Sequence, residues 1–163
     1  KDELSEREKA VLEILVTEHA YINGLQILVK NFLRPMAIRE KKEKENFVGG
    51  FFINIEELLH LNSEFYAMLL ERLEHWEEDG QDHIGDILVK FVTMFEQPYC
   101  QFGSGHEKAL QKRGEASSGL RKTLEAIDDK VGTAFGMKYQ YYFITPIQRA
   151  SKYSPLIGTL LKQ

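Results

Sequence analysis

The feature that most constrains the fold is a long N-terminal stretch with helical periodicity and no proline. Apolar residues recur at intervals of three and four from Leu4 to about Phe32, and the first proline is Pro35. This spacing places the apolar side chains on one face of an α-helix. No segment alternates polar and apolar residues long enough to predict a sheet, although the aromatic run 139–143 is ambiguous on propensity alone. We therefore predict an all-α fold, an elongated bundle of long helices packed side by side.

The boundaries of the remaining helices are predicted from capping residues, proline and glycine. The second and third helices are predicted to begin at Asn54 and Asp82, whose side chains can accept hydrogen bonds from a first helical turn. Pro98 should kink or end the third helix, and a loop with Gly103 and Gly105 should follow. A fourth helical pattern covers residues 120–131, and residues 138–163 are predicted to form a last helix.

Composition and charge limit the class of protein. With 163 residues, 43% of them apolar, the chain is expected to form a single domain over residues 1–163. A formal charge of −4 argues against a dedicated nucleic-acid binder, which needs a basic face. The single cysteine, Cys100, fits a reducing compartment. We expect a cytoplasmic location, with recruitment to the plasma membrane as a further option and membrane contact only through other domains of a longer protein.

The sequence has no pattern typical of a metal site, a cofactor site or a catalytic nucleophile. The five histidines have neither the i, i+4 spacing nor the cysteine partners of a zinc site: His19, His60, His75, His83 and His106. No nucleophile elbow or phosphate-binding loop with its full spacing is present. We therefore expect neither metal nor cofactor and no covalent catalysis.

Glu18 breaks the amphipathic pattern of the first helix. At about 100° per residue it falls within the apolar stripe formed by Leu15, Ile22 and Leu25. An unpaired buried carboxylate costs several kcal/mol. Glu18 must therefore either have a partner or lie where the stripe leaves the core.

The last helix has a second unusual feature, a polar group within the segment "PIQRASKY" at residues 146–153. Gln148 and Lys152 are one turn apart and share an outward face with Thr159, whereas Tyr153 lies on the apolar face. Arg149 lies beside the outward group and could join it or brace a neighbouring helix. Such a group is either a solvated surface or a contact for a partner.

With these residues identified, the chain resembles the Dbl-homology domain of guanine nucleotide exchange factors for Rho-family GTPases. Four segments carry the resemblance, in order and over essentially the whole chain: "VLEILVTEHAYINGLQILVKNFLRPM" at 11–36, "FFINIEELLHLNSEFYAMLLERL" at 51–73, "IGDILVKFVTMFEQPYCQF" at 84–102 and "TPIQRASKYSPLIGTLLK" at 145–162. The coincidence of Thr-Glu with Pro-x-Gln-Arg-x-x-Lys-Tyr is more specific than either motif alone.

The resemblance implies a partner and roles for the unusual residues. A Rho- or Rac-family GTPase is the expected partner, with Glu18 engaging switch I and Lys152 reaching switch II beside Gln148. Thr159 is included in the predicted GTPase-binding set, and Arg149 and Tyr153 are assigned mainly to structure. The resemblance also implies that the family's final long helix is missing and that the domain is truncated at its C-terminal end. The alternative is a non-catalytic helical interaction or scaffold module.

Overall fold

The computed structural model describes residues 3–78 and 80–162, and within these residues the chain forms helices and no strand. The helices are α1 (Glu6–Ile27), a π-helical turn (Leu28–Leu33), α2 (Arg34–Glu43), α3 (Val48–Phe52), α4 (Ile55–Glu74), α5 (Gly85–Glu115), α6 (Ser118–Phe135), α7 (Tyr139–Phe143) and α8 (Thr145–Leu161). The all-α prediction is confirmed. In the described part of the chain, no helix is both long enough and apolar enough to cross a membrane.

The N-terminal helical segment is longer than its sequence pattern predicted. It begins at a capping box, in which the Glu8 amide donates to Ser5 Oγ (3.1 Å) and the Ser5 amide donates to Glu8 Oε2 (2.7 Å). The helix does not end near Phe32, because the π-helical turn leads directly into α2. Pro35 lies in the first turn of α2. Amides of a first turn need no intrahelical partner, so the proline is tolerated there.

The predicted cap at Asp82 is wrong, whereas Asn54 occupies the predicted cap position without the predicted capping bond. Asn54 directly precedes α4, but its side-chain amide donates to the Pro98 carbonyl (2.8 Å) instead of capping the helix. Asp82 lies three residues before the first residue of α5, Gly85, and Ile84 occupies the cap position. The local capping signal was overridden at Asn54 by a contact with α5.

The predicted break after Pro98 is also absent. α5 passes through Pro98 and contains both Gly103 and Gly105, which were predicted to form a loop. A Cβ atom added at Gly105 would lie 3.3 Å from Ile53 Cδ1, which is a tight contact. This glycine therefore permits close packing of α5 on the segment before α4, and it does not mark a turn.

The C-terminal part consists of two helices where one was predicted. α6 matches its predicted pattern, whereas the last segment is divided at Ile144 into the short α7 and the longer α8. Pro146 lies in the first turn of α8 and disfavours continuation of a helix from the residues before it. α8 then runs through Pro155 to Leu161.

Buried apolar side chains of the described residues form two cores that follow one another along α1, α4 and α5. We call one the α7 core; its buried aromatic members include Phe32, Phe51, Phe52, Tyr139 and Phe143. The other, the α8 core, includes Ile14, Phe65, Leu69, Phe91 and Phe95. Tyr99 packs against both cores. This arrangement gives an elongated bundle, in which α8 covers one half of α1.

Candidate functional site

Glu18 is paired in the interior, where α8 crosses α1. Its side chain is fully buried, and that of Arg149 is 6% exposed. Arg149 donates to Glu18 Oε2 from Nη2 (2.7 Å) and Nε (3.0 Å), and from Nη1 to Thr17 Oγ1 (2.9 Å). Because these bonds are charge-assisted and directional, they fix where α8 lies on α1. The structure therefore resolves the open alternative for Glu18: it has a partner.

Tyr153, one turn after Arg149, completes the shell of the carboxylate. Its hydroxyl lies 3.1 and 3.0 Å from the Glu18 oxygens and 2.8 Å from Asn62 Oδ1. The Arg149 guanidinium lies 4.7 Å from the centre of the Tyr153 ring. Arg149 and Tyr153 thus bind α1 together, from successive turns of α8.

Burial dominates the electrostatics of this group. It raises the pKa of Glu18 from its ordinary value, against the opposing charge of Arg149 and hydrogen bonds from Arg149 and Tyr153. Burial alone would lower the pKa of Arg149, but charge interactions and hydrogen bonds with Glu18 and Tyr153 together outweigh it, and the pKa is raised. The buried carboxylate therefore depends on Arg149 for its ionised form.

The outward face of α8 carries the other predicted residues. Gln148 and Lys152 are both exposed, one helical turn apart, and directly precede the buried anchors Arg149 and Tyr153. Thr159 is also exposed, and its hydroxyl donates to the Pro155 carbonyl (3.1 Å). It lies two turns beyond Lys152, roughly 10 Å along the helix axis. The structure therefore brings Gln148 and Lys152 together, sets Thr159 apart and places Glu18 beneath this surface.

A cleft beside this surface was not predicted. It has a volume of about 410 Å³ and lies between α1 and the α7–α8 segment, with Gln148 and Lys152 in its lining. Three exposed apolar residues also line it: Phe135, Met137 and Tyr141. These residues follow no helical periodicity, because Gly136, with φ of 87°, ends α6 between the first two. A periodicity analysis could not have detected them.

Asn62 was also missed, although the sequence contained a signal for it. It lies in the apolar stripe of α4 with Leu58, Phe65 and Leu69, as Glu18 does in α1. It is fully buried and hydrogen-bonded to Tyr153. The rule that identified Glu18, a polar side chain within an apolar helical stripe, would have identified Asn62 as well.

Within residues 3–78 and 80–162, no group of three or more histidine, cysteine, aspartate or glutamate side chains could hold a metal ion. The chemistry that the surface offers is that of hydrogen bonding and charge: an amide at Gln148 and an ammonium group at Lys152, next to an apolar cleft.

Known proteins match the chain in both sequence and fold. A family model described as the RhoGEF domain matches residues 10–163. The phosphatidylinositol 3,4,5-trisphosphate-dependent Rac exchanger 1 protein of Mus musculus is 31% identical over 93% of this chain, which spans 10% of that relative. An activated truncation of Vav1 has a TM-score of 0.81 at 24% identity, covering 96% of this chain and 39% of the Vav1 chain.

A solved complex of the PDZ-RhoGEF DH/PH domains with GTP-gamma-S activated RhoA has the same fold, with a TM-score of 0.76 at 20% identity. It covers 99% of this chain and 47% of that chain. At these identities the solved structures establish the fold, and the family model establishes descent. The chain belongs to the RhoGEF, or Dbl-homology, domain family.

Proposed function

We propose that this chain binds a Rho- or Rac-family small GTPase and accelerates release of its bound nucleotide. The observation that supports this most strongly is the position of the "PIQRASKY" helix on the Thr-Glu segment of α1. Arg149 and Tyr153 face inward to Glu18, so Gln148 and Lys152 face outward beside the cleft. Membership of the RhoGEF family supports the assignment of this surface to GTPase binding.

The mechanism that follows is one of linked binding equilibria, with no covalent bond made or broken. If the chain binds the nucleotide-free GTPase more tightly than the nucleotide-bound form, linkage requires that it weaken nucleotide binding equally. A coupling of about 4 kcal/mol corresponds to roughly a thousandfold change. The protein needs to supply only contacts that are stronger in the nucleotide-free complex.

The residues differ in how they can serve such contacts. Lys152 offers three donors to carbonyl or carboxylate groups of switch II, and Gln148 offers a donor and an acceptor beside it. Both are accessible as they stand. Glu18 is fully buried under Arg149, so its predicted contact with switch I requires the carboxylate to leave this position. That contact stays a prediction, as does a role for Thr159.

Release of a fluorescent guanine nucleotide from a panel of Rho and Rac GTPases tests the proposal. We expect the chain to accelerate release from at least one member. Lys152→Ala should reduce the acceleration by roughly tenfold or more, since it removes charged hydrogen bonds made in the complex. Lys122→Ala, an exposed lysine on α6, serves as the matched control and should leave the rate unchanged.

The scaffold alternative makes the opposite prediction. A non-catalytic module would bind a partner without changing the nucleotide release rate of any panel member, and Lys152→Ala would have no rate to reduce. Equal losses in Lys152→Ala and Lys122→Ala would also contradict the proposal, because they would indicate a general charge effect.

We further propose a cytoplasmic location, with membrane contact through other domains of a longer protein. The single cysteine, Cys100, is exposed and free, which suits a reducing environment. Imaging of the fluorescently tagged chain in cells, with and without flanking sequence, tests both statements.

A further inference from the structure

The polar group around Glu18 extends to α4 and α5 through Asn62 and Tyr99. Asn62 Nδ2 donates to the Leu58 carbonyl (2.8 Å) and to Tyr99 Oη (2.7 Å). The Tyr153 hydroxyl lies 2.8 Å from its Oδ1 and shares its single proton between this oxygen and the Glu18 carboxylate. Because the amide uses both its nitrogen and its oxygen, its orientation in the core is determined.

Tyr99 connects this network to a second residue of α1. Its hydroxyl lies 2.9 Å from that of Tyr21, which is one turn after Glu18 and lines the cleft. Together with the backbone of α1, these polar contacts close a ring. It runs from Glu18 to Tyr153 on α8, Asn62 on α4, Tyr99 on α5 and Tyr21, and returns along α1 to Glu18. We call this the polar ring. It lies where the α7 core meets the α8 core, since Tyr99 packs against both.

The polar ring has a geometric consequence for the proposed GTPase-binding face. Apolar packing is roughly proportional to buried area and non-directional, so it alone fixes the rotation of a helix weakly. Hydrogen bonds fix direction. In α8 the anchors Arg149 and Tyr153 each follow an outward residue by one position, so rotating the anchors rotates Gln148 and Lys152 by the same angle.

We propose that Asn62 and Tyr99 are positioning residues for the Gln148–Lys152 face. Tyr99 orients Asn62, and Asn62 contacts the Tyr153 hydroxyl. Tyr153 in turn fixes the rotation of α8 that the exchange reaction needs. Neither residue is exposed on that face, so they act through Tyr153 and do not touch the GTPase. This inference rests on the proposed function.

Tyr99→Phe tests the inference, because it removes one hydroxyl oxygen and keeps the ring that packs on both cores. We expect kcat for nucleotide exchange to fall by roughly tenfold, since a small misplacement of a positioning contact has effects of this size or greater. The KM for the GTPase should change by less than about threefold, because Gln148 and Lys152 remain accessible for the encounter.

Tyr139→Phe is the matched control. Tyr139 is fully buried in an aromatic cluster, and its hydroxyl has no hydrogen-bond partner among the described residues. It should keep the wild-type exchange rate and helicity. Equal rates in wild type, Tyr99→Phe and Tyr139→Phe would overturn the inference and leave the polar ring with a purely structural role.

Combination with Lys152→Ala separates positioning from a general loss of stability. If Tyr99 acts through the orientation of Lys152, then Tyr99→Phe should cost the Lys152→Ala variant less than about twofold. Fully additive losses would contradict the inference. Asn62→Leu should show the same pattern as Tyr99→Phe, and if it loses helicity, Tyr99→Phe alone decides. If the wild-type chain accelerates nucleotide release from no GTPase, the proposed function fails and the inference fails with it. This outcome differs from equal exchange rates in an active wild type and its variants, which would overturn the inference alone.

Discussion

Removal of Arg149 is the most direct perturbation of the buried polar group. Arg149→Met keeps much of the side-chain length while deleting the guanidinium that donates to Glu18 through Nη2 and Nε. The Glu18 carboxylate is then left fully buried with the hydroxyl of Tyr153. The variant therefore measures the cost of an uncompensated charge in this interior.

The expected magnitude follows from the burial of both partners. Deleting one partner of a buried ion pair costs about 3–5 kcal/mol, because the remaining charge keeps its desolvation penalty. In a chain of this length, each kcal/mol lowers the melting temperature by about 2–4 °C, so the midpoint should fall by roughly 6–20 °C. Urea unfolding followed by circular dichroism gives the free energy directly.

The pH dependence of Arg149→Met provides an independent test. Burial already raises the pKa of Glu18 above 4.5, and removing the opposing charge of Arg149 raises it further. The folded variant then holds a proton that the unfolded chain has released, so its stability falls as pH rises above the unfolded value. The deficit relative to wild type should therefore shrink when pH is lowered from about 7 to about 5.

Lys152→Met is the matched control, since it removes a cation from the exposed side of the same helix. It should change stability by less than about 1 kcal/mol. A loss in Arg149→Met no larger than that of Lys152→Met, with no dependence on pH, would refute the reasoning from burial.

Three further predictions concern sites outside the polar ring. Tyr139→Phe should raise the free energy of unfolding by about 1 kcal/mol, because the buried hydroxyl has no partner within the described residues; a lower urea midpoint would contradict this. A hydrogen bond from Arg72 lowers the pKa of Asp86 from 3.8 to about 2. The small stability advantage of wild type over Asp86→Asn should therefore be present above pH 3.8 and disappear as pH falls toward 2. Urea unfolding at each pH measures this difference. Gly136→Ala should cost about 1–2 kcal/mol in thermal unfolding because φ at this C-cap is 87°, and an unchanged midpoint would show that the cap rearranges.

The sequence predicted the helical class. It also predicted that Glu18 either has a partner or lies where the apolar stripe leaves the core, because a charge within such a stripe is detectable from periodicity. It did not predict which partner. Arg149 lies 131 residues away in the chain, and Tyr153 and Asn62 are 91 residues apart. Local patterns do not determine which faces of distant helices meet, so such pairs become visible only when the bundle is assembled.

Three departures from the predicted helices share one cause: the unbroken helix at Pro98 and at Gly105, and the missing side-chain cap at Asn54. Proline, glycine and capping rules describe the preferences of an isolated helix, whereas tertiary contacts decided the outcome at Pro98, Gly105 and Asn54. At Gly105 the absence of a side chain allows close contact with Ile53. At Asn54 the side-chain amide donates to the Pro98 carbonyl on α5. The cleft beside α8 escaped prediction for a related reason, since it forms only where α1, α8 and the turn after α6 meet.

The Glu18–Arg149 ion pair, which adjoins the polar ring at Glu18, is better explained by specificity than by stability. Replacing a buried ion pair with apolar side chains of similar volume is often neutral or stabilising. Glu18→Met combined with Arg149→Met should therefore recover most of the stability that Arg149→Met loses. If the ring orients α8, or if Glu18 contacts switch I, the double variant should nevertheless remain impaired in nucleotide exchange, with accessible Gln148 and Lys152. Recovery of stability together with full exchange would show that apolar packing alone orients this helix, and the functional case for the ring would then be lost.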